Sequence, residues 1–178
     1  MFIAHQLKQQ NIAEYLLYMW QIEDIIRAFD ADIDRIDEQL ISTMNLSPEQ
    51  HKQEREWYES LIDMMRREDV VKSGHIQLVK NILIDLQDCH LRQLQEGNDA
   101  FYNADYMQLI PVINLLKSKS TNPEISDLEM CFIFLYGIMT LRRQKKQISA
   151  DTEQTAQQIS QFISLLVNKY NHQDDPES

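Results

Sequence analysis

The sequence predicts an all-α fold: a single-domain bundle of about six helices, with a long N-terminal helix and a very apolar central fifth helix. Three observations carry this. Only three glycines and four prolines occur in 178 residues, which leaves few places for a long regular segment to break. Apolar residues recur every three or four positions over most of the chain, the period of one helix face. Ser47 and Ser126 each stand three residues before a Gln or Glu, the pairing that closes helix N-termini.

The first helix is expected over about 8–42, on Ile12, Leu16, Met19, Ile22, Ile26, Phe29, Ile33, Ile36 and Leu40. At 1.5 Å per residue it would be a rod of roughly 50 Å, longer than a small domain needs, so its far end is expected to seek a partner. Ser47-Pro48-Glu49-Gln50 opens a second helix with Trp57, Tyr58, Leu61, Met64 and Met65 on its apolar side, fading near Val71. Gly74 punctuates the chain, and a third helix runs from about His75 to Glu96 and ends at Gly97. Asp99–Ser118 reads as a fourth helix with a kink or break just before Pro111. Ser126-Asp127-Leu128-Glu129 opens the fifth, which ends near Lys146 and contains the apolar block Met130–Met139. Ser149 caps the sixth. Residues 1–170 form the expected domain, and 171–178 a disordered polar tail.

A formal charge of −11 disfavours phosphate backbones and anionic membranes, so neither nucleic acid nor membrane is expected as a partner. Met130–Met139 is about half the length needed to cross a bilayer. The first ten residues lack the apolar core of a signal peptide, which points to a cytoplasmic address. Cys89 and Cys131, each inside an apolar helical pattern, read as free buried thiols.

Candidate sites are few. Asp30-x-Asp32-x-Asp34 has the opening of a calcium loop, but Arg35 and Ile41 occupy the positions that need glycine and a bidentate glutamate. The segment reads as an acidic helix face, with Asp30, Asp34, Asp37 and Glu38 as a possible interface. His51 and Glu54 share a helix face, yet no Glu-x-x-His occurs, so no metal or other cofactor is assigned. Cys89 and His90 are adjacent and diverge by about 100° on a helix, so they make no nucleophile pair and no catalytic residue is assigned. Arg142, Arg143, Lys145 and Lys146 form the one concentrated basic patch. It suits the carbonyl end of a helix and could also hold an anion or an acidic protein surface. Tyr15, Met19, His90 and Tyr136 could line a core pocket between the first, third and fifth helices.

The run Asn11-Ile-Ala-Glu-Tyr-Leu-Leu-Tyr-Met-Trp-Gln-Ile-Glu-Asp, Cys131-Phe-Ile-Phe-Leu-Tyr-Gly, and Leu141-Arg-Arg-Gln-Lys-Lys-Gln-Ile-Ser together resemble a small bacterial family labelled only as a domain of unknown function. The resemblance covers most of the chain. It implies a cytoplasmic helical protein and supplies no activity or functional residue to carry over.

Two functional readings follow. The first is a non-enzymatic protein-interaction or structural module, a homodimer whose acidic first helix meets the basic end of the fifth, with another protein as a further possible partner. The alternative is a small-ligand-binding or enzymatic bundle with a Met- and Tyr-lined pocket. A DNA-binding regulator is disfavoured by the acidic N-terminal half.

Overall fold

A computed structural model of the chain describes residues 1–122 and 124–172. The fold is all-α, with 78% of the described residues helical and no strand among them. It divides into two compact units, one spanning Met1–Ile82 and the other beginning at Leu83, with the boundary inside one helix.

In the first unit, α1 (Phe2–Gln10) stops at Asn11, whose side chain accepts hydrogen bonds from the N–H groups of Ala13 and Glu14 and so starts α2 (Ile12–Ala28). The stripe read from the sequence is the core face of α2: Leu16, Met19, Ile22 and Ile26 are all buried. At its end Asp30 and Ala31 adopt positive φ, and the N–H groups of Ala31 and Asp30 return to the carbonyls of Ile26 and Arg27. This is the paired closure of a Schellman motif. Asp32 then caps the short α3 (Ile33–Gln39), which a 3-10 turn (Ile41–Thr43) follows. The Ser47–Gln50 capping box opens α4 (Pro48–Arg67) as expected, and α4 packs against α2 and α3.

A buried carboxylate fastens the chain beyond α4. Glu23, 1% exposed, accepts the N–H of Ile76 at 2.9 Å and meets His75 Nδ1 at 2.5 Å, while Trp20 stacks on the His75 ring. Arg27 donates to the carbonyls of Val70 and Gly74. These bonds satisfy backbone groups of an irregular segment that makes few of its own.

The second unit contains most of α5 (Gln77–Glu96), then α6 (Ala100–Ser118), α7 (Asp127–Arg143) and α8 (Ala150–Asn171). The last three pack pairwise, α6 on α7, α6 on α8 and α7 on α8. Asp99, Ser126 and Ser149 cap α6, α7 and α8. Ile159, Phe162, Ile163 and Leu166 of α8 are buried, as their spacing requires.

Several expectations need correction. Eight α-helices occur among the described residues instead of six. The single long N-terminal helix is three helices, because Asn11 and Asp32 offer side-chain caps that compete with helix propagation. α6 runs unbroken through Pro111: both Met107 and Pro111 are exposed, so the hydrogen bond that proline removes lies on the outer side. The uniquely apolar, central fifth helix is not confirmed. α7 buries Leu128, Met130, Cys131, Phe132 and Ile138, but Ile133 is exposed and Phe134 only half-buried. α8 extends to Asn171, and the rest of the expected tail, residues 173–178, lies outside the described residues.

Candidate functional site

The acidic segment is already engaged within its own unit. Asp30 pairs with Arg35 at 2.6 Å, Asp34 with Arg55 at 2.7 Å, and Asp37 with both Arg55 and His51 at 2.8 Å. The hydrogen bonds that Arg55 donates to Asp34 and Asp37 raise the pKa of its guanidinium further. Glu38 is exposed. The His51–Glu54 pair is not brought together: His51 turns to Asp37, and buried Glu54 meets the terminal ammonium of Met1 at 2.5 Å. Among the described residues, no group of three or more His, Cys, Asp or Glu side chains is arranged to hold a metal ion.

At the other candidate patch, Arg142 pairs with Glu153 of α8 at 2.5 Å, and Arg143, Lys145 and Lys146 are exposed. Lys145 has φ of 54°, and the N–H of Lys146 returns to the carbonyl of Leu141. The basic run is thus the Schellman closure of α7, with cations at the carbonyl end of the helix.

The candidate pocket residues divide between the units. Tyr15 and Met19 are core residues of α2, whereas His90 and Tyr136 belong to the second unit. His90, 2% exposed, anchors a polar and aromatic cluster there: its Nδ1 shares a 2.7 Å hydrogen bond with the Tyr102 hydroxyl, and its ring stands edge-on to Tyr106 and Phe162. Tyr106 donates to Asp127 at 2.8 Å, and Lys117 pairs with the other oxygen of Asp127 at 2.9 Å. Tyr136 is half-buried, and its carbonyl accepts from Thr140.

Burial sets the protonation states of this cluster. It pulls His90 down to about 4 against a weaker opposing pull from Asp127, so the imidazole is neutral at physiological pH. Burial also opposes ionisation of Asp127, but the bonds from Lys117 and Tyr106 outweigh it and hold the carboxyl below its usual range. Burial, with the Asp127 charge, pushes the Cys131 thiol up to about 12, which leaves it an inert thiol. His90, Tyr102, Tyr106, Asp127 and Lys117 each already hold a protein partner. Tyr106 and Asp127 were legible only as an amphipathic aromatic and a first-turn acid, because sequence spacing does not report pairing between helices.

The outer side of α6 shows a different feature. Phe101, Ala104, Gln108, Pro111 and Leu115 follow one another at intervals of three, four, three and four, and all five are exposed. Phe101 and the neighbouring Met107 are each 63% exposed, and Leu115 is 56% exposed. Asn114 and Ser118 complete the exposed side of the helix, which carries no ionisable residue within its bounds. Beside it, a shallow groove of about 180 Å³ runs between α6 and α8, lined by Asp105, Gln108, Leu109, Gln158 and Gln161. The spacing that marks this row is present in the sequence, but which side of the helix is left uncovered depends on packing between helices.

These features define an all-helical chain whose polar clusters are internally paired and whose α6 presents an uncharged apolar row. Among the described residues, no helix is long and apolar enough to cross a membrane. The chain belongs to the family described as Domain of unknown function (DUF4924), whose model matches residues 1–177. No curated protein and no solved structure matches it.

Proposed function

We propose that this chain is a non-enzymatic protein-interaction module, and that the outer face of α6 is its working surface. The observation that carries the reading is the exposed row Phe101, Ala104, Gln108, Pro111 and Leu115. Phe101, Met107 and Leu115 are the large apolar side chains on this side, each more than half exposed, and exposed apolar side chains grouped on one helix face mark association sites, whereas scattered ones need no explanation. The buried His90–Tyr102 bond and the part-buried Tyr106–Asp127–Lys117 bonds support the same reading, since groups satisfied by one another are not presented to a substrate. The paired acidic segment and the helix-closing basic run serve the fold in this account and are secondary as docking surfaces.

Met107 makes the reading testable, because a covered thioether oxidises more slowly than an exposed one. Peroxide footprinting, read by mass spectrometry, compares the chain in a native cell extract with the purified chain at high dilution. Slower oxidation of Met107 in the extract, with other exposed methionines such as Met44 unchanged, is the expected result. Equal rates at Met107 in both samples would overturn the reading.

A further inference from the structure

We infer that the occupant of the α6 face is a second copy of this chain, docked α6 against α6 in antiparallel two-fold fashion with Gln108 at the axis; this rests on the interaction reading above. Three observations converge on it. The first is register. Phe101 and Leu115 lie seven residues on either side of Gln108, and Ala104 and Pro111 lie four before and three after it. A two-fold axis through Gln108 therefore sets Phe101 of each copy beside Leu115 of the other, the reciprocal arrangement that an isologous contact demands. Intervals of three and four are those of a helix-pairing seam.

The second is charge. The chain carries a formal −11, so most pairings of two copies would bury like charges. The exposed row of α6 holds no ionisable residue, and the one carboxylate of the helix, half-buried Asp105, lies at the edge of the row in the groove towards α8, so the row can meet its own copy with little of that cost. At the ends the signs are complementary: exposed Glu96 precedes the helix and exposed Lys119 follows it. Antiparallel docking brings the acidic end over the basic end twice, with opposed helix dipoles.

The third is the axis residue itself. A glutamine amide carries both donors and an acceptor, so two copies of Gln108 related by a two-fold axis can bond each other reciprocally. Small Ala104 beside it lets the helices approach to the 8–10 Å typical of packed pairs.

Cysteine placed at the axis tests this directly, because in an antiparallel pair a residue comes within disulfide reach of its own copy only at the two-fold. Both native thiols are buried, so they do not compete. Under mild oxidation Gln108→Cys should convert most of the chain to covalent dimer, whereas Ser164→Cys, at an exposed site on α8, should not. Phe101→Asp/Leu115→Asp should turn a concentration-dependent dimer into a monomer of unchanged helicity that melts like the dilute, monomeric wild type, and Lys119→Glu should weaken the dimer most at low salt. A wild-type chain that stays monomeric at every concentration overturns the inference. So does a dimer that survives Phe101→Asp/Leu115→Asp. Either result leaves the Met107 footprint to decide the interaction reading independently: protection in extract without self-association means the face is covered by a different protein.

Discussion

α2 and α6 are both rich in apolar residues, and they use them in opposite ways. In α2 the row Ile12, Leu16, Met19, Ile22 and Ile26 is wholly buried. In α6 the inner side buries Tyr102, Leu109 and Ile113, while a second apolar row, from Phe101 to Leu115, faces outward. One helix has a single apolar face and the other has two. Composition alone cannot separate these cases, but the angular position of each residue can: α6 has more apolar surface than its own unit covers, and the excess lies on one side.

Substitutions of the same chemical size should separate the two helices. Leu16→Ala removes side-chain volume from a site with no exposure, and it should cost about 2–5 kcal/mol in denaturant unfolding. A loss below about 1 kcal/mol would show that the α2 row is not the core of the first unit.

The inner face of α6 should make stability depend on pH. His90 titrates near 4 when folded and near its ordinary value of 6.5 when unfolded. Between those values the unfolded chain binds a proton that the folded chain refuses, so stability rises with pH through that window and is progressively lost as pH falls from 6.5 towards 4. The full effect is about 3 kcal/mol. Asp127, held below its usual range, adds loss of the same sign at lower pH. Melting followed across pH 4–7 should show the slope in wild type and a flatter profile in His90→Gln. Identical profiles would remove His90 as the cause.

Pro111 sharpens the contrast in the other direction. A proline inside a helix costs about 3 kcal/mol relative to alanine, and this one is exposed, so Pro111→Ala should stabilise the isolated chain by about 1–3 kcal/mol. A destabilised variant would mean that Pro111 serves the packing of its own unit. Leu115→Ala should have the smallest effect, within about 0.5 kcal/mol, because its side chain is already largely in water. A loss comparable to that of Leu16→Ala would erase the distinction between the two rows.

The fold was legible where helices begin and less so where they end. Ser47, Ser126 and Ser149 cap α4, α7 and α8 where the sequence places them, because a serine hydroxyl within reach of the third N–H is a local feature. The stop signal sought was glycine, and it served at Gly97, with φ of 64°. α2, α4 and α7 instead close on Asp30, Asp69 and Lys145, each at positive φ, with the following N–H reaching back to Ile26, Met65 and Leu141. A left-handed residue other than glycine costs about 1–2 kcal/mol locally, so propensity disfavours these stops. Burial of Ala31 and Val70, the residues that follow two of them, offsets that cost and cannot be read from either motif alone. The sites divide similarly. A core position for His90 was legible in the sequence, but its bond to Tyr102 and the Tyr106–Asp127–Lys117 chain depend on contacts between helices. The acidic and basic segments were visible as charge runs, whereas their partners Arg55 and Glu153 lie 18 to 21 residues away from Asp37 and Asp34 and 11 from Arg142.

Sedimentation equilibrium of wild type beside Phe101→Asp/Leu115→Asp, across a wide concentration range, tests most directly the claim that the outer row of α6 exists for association. The account predicts a wild type that passes from monomer to dimer and a variant that remains monomeric, with superimposable helical spectra and, at concentrations where the wild type is monomeric, superimposable melting curves. A wild type and variant with the same mass at every concentration would contradict it.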